Sequence, residues 1–541
     1  MTIALSTALR YSLHMNHYVF ERSRGFVADH KRIDTGFDRG SGGIIYFLLA
    51  LIAFIPAFLL SAPFVEDSLG TMAPAAYLTG HDWSAFLAED GYFYKYGASI
   101  WYLLPFALTE NPVLRYRLML LGNSLLHVCM AWLCYRLLKR LGKGEYALSI
   151  ALLVGLLPSA LLYGKLTWAE PVLFLIPWVA LHLLLTLDDR NLSPMRRRLY
   201  SALLAGVAVY AYMAHLRGIV VVVATTITVL VIDWKRKDRP MPIHLPSYAV
   251  GLVLALTADH FLTKWEKATV YGGAALQHNT LSQLLHSGLG RMVSAEGLAV
   301  LGKAIVGWLF HSGAATFGLA FVGLCAMLKA VFTALKKKDA MNGREFVSLF
   351  GILCYLGAFA MGLLFFFHYL YDYWMGAAVE RCDRLIFGRY LESCLPLLLT
   401  SGLLELDRIR RGERKGKTLL IAAGGLLVFC TAFFAFFIAP AMRGADCYVH
   451  SLMALNLFMD TSGVTVTKDL IPNLAQAVGW FGLLSVGVFA AVVILYKRHR
   501  KAAFAMIAVL FLLIYARSMV TVLYHVDSAG LTSFAQFYLA N

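Results

Sequence analysis

Apolar runs of about twenty residues, separated by short polar or basic turns, recur from one end of the chain to the other. Each is long enough to cross a hydrocarbon layer about 30 Å thick as a helix. The pattern predicts spans near 44–62, 113–138, 146–163, 170–187, 199–216, 218–232 and 247–262. Further spans are expected near 313–334, 346–367, 388–405, 417–438, 477–496 and 502–523, roughly thirteen in all. The run "ASIWYLLPFALTENP" is too short to cross and carries Pro105, so it reads as a re-entrant or interfacial helix. Two long polar segments, 63–97 and 263–296, interrupt the pattern and are expected to carry amphipathic helices lying on the membrane. The fold class that follows is an all-α polytopic membrane protein. A transmembrane β-barrel would alternate at every second residue in short segments.

Composition agrees. Of 541 residues, 59% are hydrophobic and 15% charged, against about 45–50% and 25% in soluble domains. The mean hydropathy is +0.67. Met1–Phe20 mixes His and Asn into a weak apolar run and does not read as a cleavable signal peptide. A net charge of +16 would suggest nucleic acid, but its distribution argues against that. The cations gather in "KRLGK" (139–143), "RRR" (196–198), "KRKDR" (235–239), "KKK" (336–338), "RIRRGERKGK" (408–417) and "KRHRK" (497–501), alternating with loops poor in Lys and Arg. That alternation is the positive-inside signature. It predicts a multi-pass protein of the cell (plasma) membrane with a cytoplasmic N-terminus, and an odd span count leaves the C-terminus outside. Both long polar loops then lie on the outer face. The organisation expected is a cytoplasmic tail (1–43), a transmembrane catalytic module (44–405) containing loops 63–97 and 263–296, and C-terminal transmembrane helices (406–541).

The eight cysteines form no CxxC and no metal-ligand spacing. Cys129, Cys134, Cys325, Cys354 and Cys430 fall in apolar runs and read as core residues. Cys382 and Cys447 fall in expected outer loops, where a disulfide between them is one option.

Chemistry concentrates at outer span ends. In "PFVEDSLG" the adjacent Glu66 and Asp67 repel one another, which raises at least one carboxyl and suits a general base or a cation ligand. The competing reading is a solvated start of a short helix. The loop that follows brings Asp82, Trp83, Tyr92, Tyr94, Lys95 and Tyr96 to the same face, as an interfacial aromatic belt or a sugar-binding surface. Cations on the outer side are not needed for orientation. His215 and Arg217 in "AYMAHLRG", and Arg381, Arg384, Arg389 and Tyr390 in "VERCDRLIFGRYLESCLP", are therefore candidates for binding phosphate, with Arg389 foremost. Arg389 and Glu392 could instead pair across one turn. Lys165, Trp168 and Glu170 mark another outer hairpin, where Glu170 before Pro171 is explained as a helix start. Asn123, His127 and His182, inside spans, read as helix-joining residues.

Taken in order, "VEDSLGTMAPAAYLTGHDW", "YFYKYGASIWYLLPF", "TWAEPVLF", "HLRG" and "FGRYLE" resemble the GT-C superfamily of integral-membrane glycosyltransferases, and within it bacterial relatives of the protein O-mannosyltransferases and of aminoarabinose transferase. The matching stretches cover about 44–240 and 380–400; the C-terminal third matches only as generic helices. The resemblance implies transfer of a hexosyl or pentosyl group from a polyprenyl-phosphate carrier to a lipid, polysaccharide or protein acceptor on the extracytoplasmic face, with inversion. It implies Asp67 and Glu66 as the catalytic acids, in the order Glu-Asp where mannosyltransferases have Asp-Glu, so which is the base stays open. A departing polyprenyl phosphate needs cations near its growing charge, and Arg389, with Arg217, Arg384 or Lys95 as helpers, is the candidate set for the donor phosphate. Asp82, Trp83, Tyr94, Tyr96, His215 and Tyr390 are the candidate sugar or acceptor contacts. Metal use varies in the superfamily, so no cofactor is assigned and a divalent metal stays open. Partners expected are the lipid-linked donor, its acceptor and membrane lipids, without nucleic acid. The alternative function is a secondary transporter or lipid flippase, but that would place ionisable or helix-breaking sites near the midplane and show repeats. A polymer-ligating protein would carry its dominant loop late in the chain.

Overall fold

The computed structural model describes residues 41–142, 144–189, 191–235, 242–274, 276, 290–337, 339–376, 381–412, 416–464, 468–528 and 532–541. Most of the expected tail (1–43), residues 277–289 of the second long loop, and parts of the basic clusters at 236–239 and 413–415 lie outside these. Contacts divide the chain into residues 1–45 and a unit Tyr46–Asn541, which carries everything described below except the first residues of the helix Ser41–Phe54.

Ten helices among the described residues are long and apolar enough to cross a membrane. They are Pro112–Arg140, Glu170–Leu187, Leu216–Lys235, Leu245–Thr269, Ala295–Ala314, Leu319–Lys336, Gly343–Trp374, Lys417–Met442, Leu474–Arg498 and Arg500–Tyr524. The chain is a multi-pass membrane protein. The other expected spans fall on shorter or more charged helices. The first is Ser41–Phe54 continued by the turn Ile55–Leu59. The expected 146–163 span is divided into Gly144–Gly155 and Pro158–Tyr163, because the residue before proline is driven out of the helical region. Pro194–Ala214 and Leu395–Arg410 complete the set.

Two departures from the hydropathy pattern matter. The stretch after 294, which lies outside the expected spans, is the 20-residue helix Ala295–Ala314, started by Ser294 Oγ accepting from Gly297 N at 3.0 Å. It meets Leu319–Lys336 at a buried break where Phe317 (φ 50°) and Gly318 (φ 75°) turn left-handed. The Ala314 carbonyl at this break accepts from Ser485 Oγ at 3.1 Å, mid-way along Leu474–Arg498, so the break sits inside the bundle.

The polar stretch after the first span folds as Asp67–Leu78 and Ser84–Asp90, followed by the short turns Ser99–Trp101 and Leu103–Leu108. From Ser68 to Ala76 the first of these helices is buried throughout, which fixes its polar start against the bundle.

Basic helix ends gather together. Lys235 Nζ donates to the Leu335 carbonyl at 2.7 Å, Arg140 Nη2 to Leu185 O at 2.8 Å, and Arg197 Nη1 to Leu187 O at 3.3 Å. Glu170 and Arg217 open two of the same helices at their other ends, roughly 25–30 Å away at 1.5 Å per residue. Acid–arginine chemistry and basic clusters therefore occupy opposite ends of the bundle.

Asn123, His127 and His182 join helices as expected: Asn123 Nδ2 donates to Leu166 O (2.9 Å), and the two imidazoles bond Gly155 O (2.6 Å) and Leu133 O (2.8 Å). All eight cysteines are free thiols. Cys129 is exposed rather than core. Cys382 and Cys447 form no disulfide; both are buried, with Cys382 N donating to Asp446 O at 2.9 Å.

Candidate active site

Four charged groups from four distant segments form a chain at one end of the bundle. Arg389 Nε donates to Glu170 Oε1 at 2.6 Å and Arg389 Nη1 to Asp67 Oδ2 at 3.3 Å. Arg217 Nη2 reaches the same Glu170 oxygen at 2.5 Å, and Arg217 Nη1 donates to the Arg389 carbonyl at 3.2 Å. The Asp67 carboxylate also accepts from Tyr94 Oη at 3.0 Å. Signs alternate along this row, two acids against two guanidinium groups, which lets Glu170 be buried at 1% exposure. Asp67 lies at the open end, 37% exposed.

The local sequence explains each placement. Asp67 opens a helix, so the helix-start reading of the acid pair is right about position. The neighbouring Glu66 is at the N-cap yet makes no capping hydrogen bond. It is exposed, and the loss of part of its hydration, then the Asp67 charge, pushes its carboxyl up. Arg217 sits in a single turn between two helices that pack tightly: a Cβ on Gly218 would stand 1.9 Å from the Ala211 carbonyl. Arg389 opens the short helix Arg389–Glu392. There a Cβ on Gly388 would collide with the His311 ring at 1.8 Å. That imidazole pairs with Glu392 at 2.9 Å. Glu392 is thus engaged by His311 and not by Arg389 across one turn. Aromatic faces back both arginines, Trp168 at 3.6 Å from Arg389 and Tyr390 at 4.5 Å from Arg217. His215 Nδ1 accepts from Arg217 N at 3.1 Å, holding the turn.

Two polar atoms of this row, Glu170 Oε2 and Arg217 Nε, are buried with no hydrogen-bond partner among the described residues. Unmet polar atoms in a folded interior call for an explanation, and for the Arg217 Nε donor a ligand group is one. Beside Arg217 and Tyr390 a small cavity continues between helices, lined by Leu173, Val221, Met361 and Cys394.

A second buried group anchors the segment that carries Tyr94. Lys95 Nζ donates to Asp259 Oδ2 at 2.7 Å and lies 3.7 Å from the Tyr212 ring centroid. Tyr96 Oη donates to Asp259 Oδ1 at 3.1 Å. Tyr271 Oη clasps the backbone of Tyr94 itself, accepting from its N–H (3.0 Å) and donating to its carbonyl (3.2 Å). Lys95 and Tyr96 are therefore committed to Asp259 and do not join the arginine row. Arg384 stacks on Tyr369 at 4.1 Å to one side of it. Asp82 accepts from Ser84 N at 2.9 Å, which holds its carboxyl low, and starts the next helix turn. Trp83 is buried among Phe106, Phe537 and Tyr538. Of the residues singled out from sequence, the fold brings together Asp67, Tyr94, His215, Arg217, Arg389 and Tyr390, with Glu66 at the edge.

Glu170, Asp259, Tyr271 and Asp90 were not singled out for chemistry. Asp259 carried a signal: an acid inside an apolar helix is rarely without a partner. Burial, then the charges of Glu66 and Asp67, push the Asp90 carboxyl up to about 7. Among the described residues no three His, Cys, Asp or Glu side chains group to hold a metal ion.

Two solved structures are similar in outline. Both are crystal structures of ArnT from Cupriavidus metallidurans, one bound to undecaprenyl phosphate and one in the apo state. They are 14% and 12% identical to this chain, each covering 90% of it and 77% of the ArnT chain, with TM-scores of 0.46. No family model matches the chain, and no curated protein matches it.

Proposed function

We propose that the protein is a GT-C-type glycosyltransferase that moves a sugar from a polyprenyl-phosphate carrier to an acceptor hydroxyl on the extracytoplasmic face. The observation that carries this reading is the Asp67–Arg389–Glu170–Arg217 row, a half-open carboxylate joined to a pair of arginines. The basic helix ends at the opposite end of the bundle support a cytoplasmic placement of that end, and with it an outward-facing row.

In the reaction, Asp67 takes the acceptor proton while the hydroxyl oxygen bonds the anomeric carbon. The bond from that carbon to the phosphate oxygen breaks on the opposite face, so configuration inverts. A positioned base contributes about 10²–10⁴-fold. Negative charge grows on the departing polyprenyl phosphate, and guanidinium groups already in place stabilise it. Arg389 and the unpartnered Arg217 Nε are the donors for its oxygens. The apolar cavity running inward from Arg217 and Tyr390 marks a path for the start of the isoprenoid tail. A phosphate at Arg389 competes with Asp67 for the same guanidinium, so donor binding itself frees the base.

The test is transfer from a radiolabelled polyprenyl-phosphate sugar in membranes carrying Glu66→Gln or Asp67→Asn. Loss of transfer in Asp67→Asn supports the assignment; unchanged transfer in both variants overturns it. Sidedness is checked with a cysteine at the exposed Glu89, in the same loop as the proposed base. Labelling by an impermeant reagent from outside is expected, and labelling only from the cytoplasm contradicts the topology.

A further inference from the structure

The end of the bundle remote from the arginine row holds a cavity of about 490 Å³, lined by Arg410, Lys497, Arg498, His499, Arg500 and Lys501. Val522 of the Arg500–Ser528 helix lines a cavity with Glu392 and His450, next to the proposed active site. Twenty-two residues of helix separate Val522 from Arg500, about 33 Å.

Orientation in a membrane requires cations near helix ends, and solvated lysines on convex turns meet that need. Here the cations face one concavity. Helix Leu474–Arg498 and helix Arg500–Ser528 are joined by the single residue His499, and the end of Leu395–Arg410 closes on the joint. Asp407 pairs with Arg411 (2.7 Å), Arg410 (3.5 Å) and Arg500 (3.8 Å), while Lys497, Arg498 and Lys501 add three further cations to the lining. Arg500 is also pinned over the Tyr146 ring at 3.1 Å. Lys501 stands in the first turn of its helix, where no acidic residue balances the positive helix end. Like charges crowded around a hollow repel unless an anion fills it.

We propose that this cavity binds a phosphate-bearing anion, either the headgroup of an anionic phospholipid or a soluble phosphate compound, as basic pockets between transmembrane helices do. Below it, Ile494, Val509 and Leu513 are exposed apolar side chains on the same two helices, which suits acyl chains beside a lipid headgroup. The site is separate from the proposed transfer reaction and does not depend on it.

The full chain is purified in neutral detergent and tested by native mass spectrometry against phosphatidylglycerol and phosphatidylcholine, and by thermal unfolding with inorganic pyrophosphate. Wild type is compared with Lys497→Gln/Arg498→Gln/Lys501→Gln. Phosphatidylglycerol retained in preference to phosphatidylcholine, with a loss of about tenfold or more in the variant, identifies the lipid source. Stabilisation by pyrophosphate that disappears in the variant identifies the soluble one. If neither response depends on the three residues, the proposal is wrong. Should the triple variant fail to fold, Lys501→Gln alone is compared with wild type at low and high salt. A response lost on that substitution and on salt addition upholds the site, and one insensitive to both overturns it.

Discussion

Asp67 and Arg389, 322 positions apart in sequence, meet at 3.3 Å, with Arg389 bound on its other side to Glu170 at 2.6 Å. One guanidinium therefore bridges a buried structural carboxylate and a half-exposed one available to substrate. The proposed reaction depends on the second link being exchangeable and the first being permanent.

The adjacent acids Asp67 and Glu66 respond differently to substitution, since only Asp67 belongs to the hydrogen-bonded row. Asp67→Asn is expected to lower the transfer rate by about 10²–10⁴-fold and leave the melting temperature within a few degrees of wild type. Glu66→Gln, exposed and outside the hydrogen-bonded row, is expected to lose less than about tenfold. Steady-state transfer assays with thermal unfolding separate the two effects.

Glu170 holds both arginines, so removing its charge leaves buried Arg217 without its carboxylate and Arg389 with Asp67 alone. Breaking a buried ion pair typically costs about 3–5 kcal/mol. Glu170→Gln is expected to destabilise the protein by an amount of that order, more than Asp67→Asn, as read from thermal unfolding of the purified protein in detergent.

Tyr94 reaches Asp67 only because Tyr271 clasps its backbone and Asp259 anchors Lys95 and Tyr96 beside it. Tyr271→Phe removes both clasp bonds with little change of shape. It is expected to lower kcat roughly tenfold, about one charge-assisted hydrogen bond's worth of positioning, with donor KM changed less than twofold. A matched fall in donor affinity would instead mean that Tyr271 shapes the donor site.

Asp90 gives a pH signature. Its carboxyl is raised from 3.8 to about 7, so the folded protein holds a proton there that the unfolded chain has lost. Between those values the folded state binds more protons, and stability from this group falls as pH rises. Asp90→Asn is expected to flatten that fall, raising the melting temperature at pH 8 relative to wild type and changing it little at pH 4. Parallel pH profiles of the two proteins would contradict it.

The membrane architecture was readable because hydropathy reports length and period directly. The break at Phe317–Gly318 was not, since a left-handed turn between two apolar helices leaves no polar mark. Asp67, Arg217 and Arg389 stood out as charges where orientation asks for none. Glu170 did not, because a helix start before Pro171 explained it locally, and only the fold reveals the two arginines on its carboxylate. Lys95 misled for the converse reason: a basic residue in an outer loop looked available, whereas its partner Asp259 lies 164 positions away. Sequence shows which residues are chemically unusual; their partners depend on long-range packing.

The central claim is that Arg389 binds a polyprenyl phosphate in exchange for Asp67. The direct measurement is the affinity of purified wild type and Arg389→Gln for a polyprenyl phosphate in detergent, with folding checked by size-exclusion chromatography. The account predicts binding by wild type and an affinity about tenfold or more weaker in the variant, as expected for losing a charge-assisted pair. Equal affinities in two folded proteins would contradict it.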